Sequence, residues 1–121
     1  MPKKFGKSRA IRLRMRVLRG SEIAIGPGKA ELLNHLRQTK SIRKAAERMG
    51  MSYMRAWTLI KTMERCFKRP LVKAVRGGAK GGGAELTETG QRALALYQQL
   101  EAESLEAVQA TWRELRGLLR D

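Results

Sequence analysis

The first regular pattern in the chain is an alternation of apolar and basic residues. Apolar side chains at every second position predict a strand over residues 11–17, with Arg12, Arg14 and Arg16 on its other face. The turn "RGSE" and the apolar "IAI" then predict a short return strand, so that the domain opens with a β-hairpin. The three arginines either touch phosphates or protect the sheet edge from aggregation.

Apolar residues at helical spacing predict three helices between Gly28 and Pro70. The first helix follows a Gly-Pro-Gly break and is rich in leucine. The second is short, with Ser41 as its N-cap and Gly50 as a left-handed C-cap. Ser52 caps the third helix, which we expect to end at the proline. Two helices joined by the tight, glycine-containing turn "MGMS" are typical of a helix-turn-helix.

The remaining pattern predicts a second hairpin and a long helix. "LVKAV" and "AELT" read as strands, so the fold class is mainly α with a small β component (α+β), a winged helix-turn-helix. A continuous, Thr87-capped final helix would measure about 50 Å, so we expect it to bend back or to pair with a second chain. The expected division is a basic arm over 1–10, the winged helix-turn-helix over 11–87 and a dimerisation helix over 88–121.

Charge narrows the class of partner. The 121 residues suit one domain. A net charge of +15 implies a polyanionic partner, for which nucleic acid is the first candidate and an anionic membrane surface the second. Residues 1–20 carry eight Lys/Arg and no acid, whereas 81–121 carry four Arg against seven acids. A lone Cys66 and a lone His35 give no basis for a disulfide within the chain, a metal site or a cofactor. Without a signal peptide or a membrane span, we expect a cytoplasmic, nucleoid-associated protein.

The glycine-rich stretch "VRGGAKGGGAELT" allows several interpretations. A P-loop is disfavoured because Lys80 precedes the triple glycine and no Ser or Thr follows it. A linker is disfavoured because both flanks pair as one hairpin. The best interpretation is a wing tip whose glycines let the backbone approach DNA phosphates, with charge from Arg76 and Lys80; a tip without any binding role remains the alternative. No paired carboxylates or nucleophile–base set indicates an enzyme, so we expect no catalytic residues.

Two segments in this order, "SIRKAAERMGMSYMRAW" and "RGGAKGGGAELTETGQRALALY", resemble the N-terminal DNA-binding domain of ModE-type, molybdate-responsive transcription regulators. The chain is similar, more distantly, to the LysR-type winged helix. The resemblance runs from about Lys29 to Leu100 and implies a dimer that binds palindromic operator DNA. In that family separate C-terminal domains bind molybdate. This chain ends at Asp121, so we expect the DNA-binding half alone, without a molybdate domain or a known effector.

The predicted DNA contacts lie at the start of the second helix, on the outer face of the third, and in the wing. The resemblance implies the contacts in the second helix, in the first turn of the third helix and in the wing. The helical wheel predicts the remaining contacts of the third helix. The set is Ser41, Arg43 and Lys44 in the second helix, Ser52, Tyr53, Met54, Arg55, Thr58, Lys61 and Arg65 in the third, and Arg76, Gly77 and Lys80 in the wing.

These residues predict a sequence-specific regulator of transcription. The third helix would enter the major groove of double-stranded DNA and the wing would contact the backbone, in a homodimer. Family members often have lysine where this chain has Met54, with Arg55 beside it, so we expect a different base preference. Their wing lysine is one residue from Lys80, which leaves open whether Lys80 makes the same phosphate contact. The alternative is an architectural protein with little sequence preference, since counterion release drives any basic protein onto DNA.

Overall fold

The computed structural model describes residues 8–76 and 83–121, which contain five helices and four short strands. The helices are α1 (Pro27–Thr39), α2 (Ile42–Arg48), α3 (Tyr53–Glu64), α4 (Glu88–Ala107) and α5 (Gln109–Arg116). The strands are β1 (Val17–Arg19), β2 (Glu22–Ile25), β3 (Val72–Val75) and β4 (Gly83–Leu86). They form two separate antiparallel hairpins, β1–β2 and β3–β4. The predicted α+β winged helix is therefore confirmed.

The N-terminal hairpin is shorter than the sequence predicts. Only β1 pairs with β2, with a bulge after its first residue, whereas residues 8–16 have no strand pairing. The predicted alternation survives, because the odd-numbered apolar residues of 11–15 are half-buried and the arginines between them are exposed. The prediction of a strand from Ile11 was wrong because β2 has only four residues and leaves the earlier segment no backbone partner.

Residues 8–16 instead lie along the C-terminal helices. The Tyr97 hydroxyl donates a hydrogen bond to the Met15 carbonyl at 2.8 Å, and the Ser104 hydroxyl lies 3.2 Å from the Met15 sulfur. Further along, Arg9 lies 3.7 Å from the side-chain carboxylate of Asp121. Burial raises the pKa of the Tyr97 phenol. The N-terminal segment of the same chain thus covers part of the final helix. The sequence had predicted that this helix would be covered either by bending back on itself or by a second chain.

The helix-turn-helix packs around small residues. Ala45 and Ala46 of α2 are at most 1% exposed, and Ala56 of α3 is fully buried. Such side chains let two helices approach closely, because no large group stands between them. Three leucines of α1 cover the same core and are fully buried, as their spacing predicts: Leu32, Leu33 and Leu36.

Helix α3 ends at Glu64. The sequence had predicted an end near Pro70, which was wrong. Its last turn tightens through backbone bonds between residues three apart. One oxygen of the Glu64 carboxylate then accepts from the backbone N–H groups of Leu71 and Val72, at 2.8 and 2.9 Å. The chain turns here because this side chain satisfies the amides that open the wing.

Strands β3 and β4 form the predicted wing, in register from Val72 opposite Leu86. The wing tip, with the predicted contacts Gly77 and Lys80, lies outside the described residues. At the wing base the Thr87 N–H donates to the Leu71 carbonyl at 2.9 Å. The Thr87 hydroxyl accepts from a first-turn N–H of α4 at 3.0 Å, which confirms the predicted cap.

The final helix is interrupted. The sequence had left open whether this helix bends back on itself or stays continuous and pairs with a second chain. Val108, with φ −96° and ψ 0°, separates α4 from α5, and a β-branched residue is a poor helix former. Helix α5 ends at Arg116, before the end of the range 88–121 that the sequence predicts for the dimerisation helix, because the following residues form turns bonded three residues apart. No helix among the described residues is both long and apolar enough to cross a membrane.

Candidate nucleic-acid interface

The start of α2 presents a polar and basic surface. The Ser41 hydroxyl accepts a hydrogen bond from the Lys44 N–H at 3.1 Å, which confirms the predicted cap. Arg43 and Lys44 follow with exposed side chains. Neither lies within ion-pair distance of a carboxylate in the described ranges. These two cations are therefore available to an anionic partner.

The turn between α2 and α3 fixes where the third helix begins. Gly50 has φ +67°, and the Met51 N–H returns to the Ala46 carbonyl at 3.0 Å. A side chain rarely adopts that φ, so glycine suits this turn. The Ser52 hydroxyl then accepts from the Arg55 N–H at 3.1 Å and caps α3. The turn thus joins the first residues of α3 directly to the end of α2.

Helix α3 has one packed face and one exposed face. The packed face consists of Ala56, Ile60 and Met63, each at most 2% exposed. The opposite face holds large side chains that remain in solvent, including Tyr53 at 47% and Met54 at 62%. The predicted contacts on this helix are all exposed in the structure: Ser52, Tyr53, Met54, Arg55, Thr58, Lys61 and Arg65. The helix therefore offers a continuous outer face to a partner.

Trp57 also lies on this outer face, where the sequence left its position undecided. Its side chain is 40% exposed, and the Lys61 ammonium lies 5.4 Å from the centre of its ring. That geometry is a cation–π contact. The same ammonium lies 3.5 Å from the Glu64 carboxylate, so Lys61 has two partners within its own helix. Sequence reasoning missed Trp57 because it lies at the edge of the apolar face on a helical wheel.

Arg65 lies at the end of α3 against the N-terminal hairpin. Its guanidinium donates to the Glu22 carboxylate at 3.0 Å, and the Cys66 thiol lies 3.6 Å from the same carboxylate. The Arg65 hydrogen bond holds the pKa of Glu22 below its usual range. The predicted phosphate contact by Arg65 stays a prediction, and it would have to compete with this ion pair.

The described part of the wing contributes Arg76, which is exposed at the end of β3. Lys73 of the same strand lies 3.5 Å from Glu85 of β4, so its charge is matched across the hairpin. Among the described residues of the wing, the basic group that remains available is therefore Arg76, which directly follows β3.

A groove lies between the loop after α3 and the first turns of α4. It has a volume of about 340 Å³ and is lined by side chains of the loop after α3 and of the first turns of α4: Phe67, Glu88, Thr89, Arg92, Ala93 and Leu96. Leu96 is 45% exposed, and Leu100 one turn later is 44% exposed. The sequence did not predict this groove, because Phe67 reaches it from the loop after α3 and not from the helix itself.

Comparison with known proteins gives a consistent result. Residues 28–91 match the family model described as "Bacterial regulatory helix-turn-helix protein, lysR family". The chain is 39% identical over 85 residues to "Molybdenum transport protein ModE" of Azotobacter vinelandii, which covers 70% of this chain and 32% of that protein. It is 37% identical over 86 residues to "Molybdenum-pterin-binding protein MopB" of Rhodobacter capsulatus, covering 71% and 32%.

A third relative carries a regulatory name. The chain is 40% identical over 74 residues to "DNA-binding transcriptional dual regulator ModE" of Escherichia coli K12, covering 61% of this chain and 28% of that protein. The chain thus spans about a third of the length of the curated relatives it matches. The matched family segment begins in α1, contains α2, α3 and the wing strands, and ends in the first turn of α4. The chain therefore belongs to the bacterial regulatory helix-turn-helix proteins of the lysR family.

Proposed function

We propose that this chain is a sequence-specific, double-stranded DNA-binding regulator of transcription of the ModE-like type, acting as a homodimer. In this proposal α3 enters the major groove, the start of α2 contacts phosphates, and the wing lies on the DNA backbone beside it. The family match to regulatory helix-turn-helix proteins and the name of the Escherichia coli relative both support DNA as the partner.

The exposed face of α3 carries the proposal. The major groove of B-DNA is about 12 Å wide and admits one helix. Tyr53, Met54 and Arg55 stand in the first turn of α3. Arg43 and Lys44 stand in the first turn of α2, the helix that precedes it. This combination suits a duplex, because cations on α2 position the protein on phosphates while the first turn of α3 reads base edges.

Dimerisation is proposed from the apolar surface of α4. Leu96 and Leu100 are four residues apart and therefore share a face of the helix. Both are nearly half exposed, and Leu96 also lines the groove that Phe67 helps to form. A matching face from a second copy would remove these side chains from water, which is favourable at about 25 cal/mol per Å² of apolar surface.

The DNA-binding proposal is tested by selection from a random duplex library, followed by titration of the selected and a scrambled duplex at several salt concentrations. We expect a preference of about 10³-fold or more at physiological salt. Replacing Tyr53 or Arg55 by alanine should change the selected sequence if these side chains read bases. A matched variant, Arg113→Ala, removes an exposed arginine from α5 and should leave the selected sequence unchanged.

The competing function is an architectural protein that coats DNA. The net charge of +15 supports non-specific binding through counterion release. A ratio near one between selected and scrambled duplexes would favour this function and reject the regulator. Sedimentation velocity tests the dimer separately. Leu96→Glu should give monomers, whereas Leu118→Glu, at a leucine that is already 83% exposed, should not. Dimers that persist in Leu96→Glu would exclude this face as the interface.

A further inference from the structure

Lys40 adopts a backbone conformation that is unusual for its residue type. It connects α1 to α2 and has φ +57° and ψ +31°; among the described residues it alone combines a positive φ with a side chain. A Cβ atom is crowded in this left-handed region, so glycine or asparagine usually occupies it. A lysine in this backbone conformation indicates that its contacts or its ammonium group have a specific role.

The backbone of Lys40 is fixed from two sides. Its N–H donates to the Leu36 carbonyl at 2.8 Å, which ends α1, and its carbonyl accepts from the Ala84 N–H of β4 at 3.1 Å. Gly83 lies so close that a Cβ there would come within 2.6 Å of the same carbonyl oxygen. Strand β4 of the wing is therefore seated directly on the backbone that opens α2.

The side chain of Lys40 is exposed at this junction. It comes directly before Ser41, and Arg43 and Lys44 follow on α2. No carboxylate in the described ranges lies within ion-pair distance of its ammonium. The side chain thus starts between the two elements that the proposed function places on DNA, the start of α2 and the wing.

From this arrangement we infer that Lys40 binds a backbone phosphate of the DNA strand that runs between α2 and the wing. The inference rests on the proposed function and adds to it a residue that sequence reasoning did not select. Glycine would fit the backbone at this position more easily, so the ammonium is the feature that a lysine contributes. The backbone of Lys40 at the same time fixes the wing, so the cation stays in a constant position relative to both elements.

The test separates the charge of Lys40 from its backbone role. Lys40→Gly and Lys40→Asn both suit a positive φ and remove the charge, while Lys40→Arg keeps it. Lys68→Asn is the matched control, because it removes one exposed charge from the loop after α3. Affinity for the selected duplex is measured against salt concentration for each purified variant, and its thermal midpoint is measured alongside.

We expect Lys40→Gly and Lys40→Asn to lose about 0.9 log unit of salt slope and about three- to tenfold in affinity at physiological salt. Lys40→Arg should retain the wild-type slope, and the thermal midpoint of Lys40→Gly should not fall. The inference is overturned if both neutral variants keep the wild-type salt slope, or if they lose no more of that slope than Lys68→Asn does. It is also overturned if Lys40→Arg loses as much of the salt slope as the neutral variants. A wild-type protein that does not bind duplex DNA would reject the proposed function as well, which distinguishes the two failures.

Discussion

Gly90 in the first turn of α4 is the position where one added methyl group should disturb the wing most. An alanine Cβ there would lie 2.1 Å from the Leu71 carbonyl oxygen and 3.0 Å from its carbon. The same oxygen accepts the Thr87 N–H at 2.9 Å. To relieve the contact, the start of α4 would have to move about 1 Å away from β3, which lengthens that hydrogen bond beyond its useful range.

The expected cost combines three terms. Overpacking at a buried position costs about 1–3 kcal/mol, and the lost hydrogen bond adds about 0.5–1.5 kcal/mol. The better helix propensity of alanine offsets about 1 kcal/mol. We therefore expect Gly90→Ala to lower the free energy of unfolding by about 0.5–3.5 kcal/mol, a fall in the thermal midpoint of roughly 2–20 °C for a domain of this size.

The control is the same substitution at Gly28, in the first turn of α1, where a Cβ meets no atom within 4 Å. Gly28→Ala should stabilise by about 0.4–1 kcal/mol, because it restricts the unfolded chain without a clash. Thermal and urea unfolding followed by circular dichroism measure both variants. If Gly90→Ala proved as stable as the wild type or as stable as Gly28→Ala, the close approach of α4 to β3 would be refuted.

Three further changes test other contacts. Glu64→Ala leaves two wing amides without their acceptor and should cost about 2–4 kcal/mol in urea unfolding; a loss below about 0.5 kcal/mol would contradict this anchor. Because Arg65 lowers the pKa of Glu22, their ion pair stabilises the fold above pH 4.5 and is lost as the pH falls below it. Wild type and Glu22→Gln should therefore differ in urea midpoint at pH 7 and converge at strongly acidic pH, and a constant difference would reject the pair. Tyr97→Phe removes one hydrogen bond and should lower the free energy of unfolding by about 0.5–1.5 kcal/mol in urea; an unchanged urea midpoint would contradict this contact.

The features that the sequence predicted correctly depend on neighbouring residues. Ser41, Ser52 and Thr87 were expected to cap three helices, and each accepts the N–H three residues ahead. A cap of this kind needs only a short polar side chain at the right place. The apolar spacing of α1, α2 and α3 is equally local, and it placed the exposed face of α3 correctly.

The features that it missed depend on residues far away in the chain. Tyr97 binds the carbonyl of Met15, 82 residues earlier, and no local pattern links the two. Arg65 lies on the exposed side of α3, as the helical wheel predicts, yet Glu22 reaches it from 43 residues away. The strand predicted from Ile11 failed for the same reason, since alternation shows which side is buried but not whether a partner strand exists.

The wing base is fixed independently of its glycine-rich tip. Glu64 and Thr87 hold the residues at the start of β3, and the Lys40 carbonyl holds the start of β4. These contacts are made by α3, the α1–α2 connection and the cap of α4, so the angle between α3 and the wing is set within the described residues. Substitutions at Glu64 or Gly90 should therefore alter wing placement and stability together. Arg76 makes none of these contacts, so Arg76→Ala should leave the thermal midpoint unchanged, and under the proposed function it should weaken binding to duplex DNA.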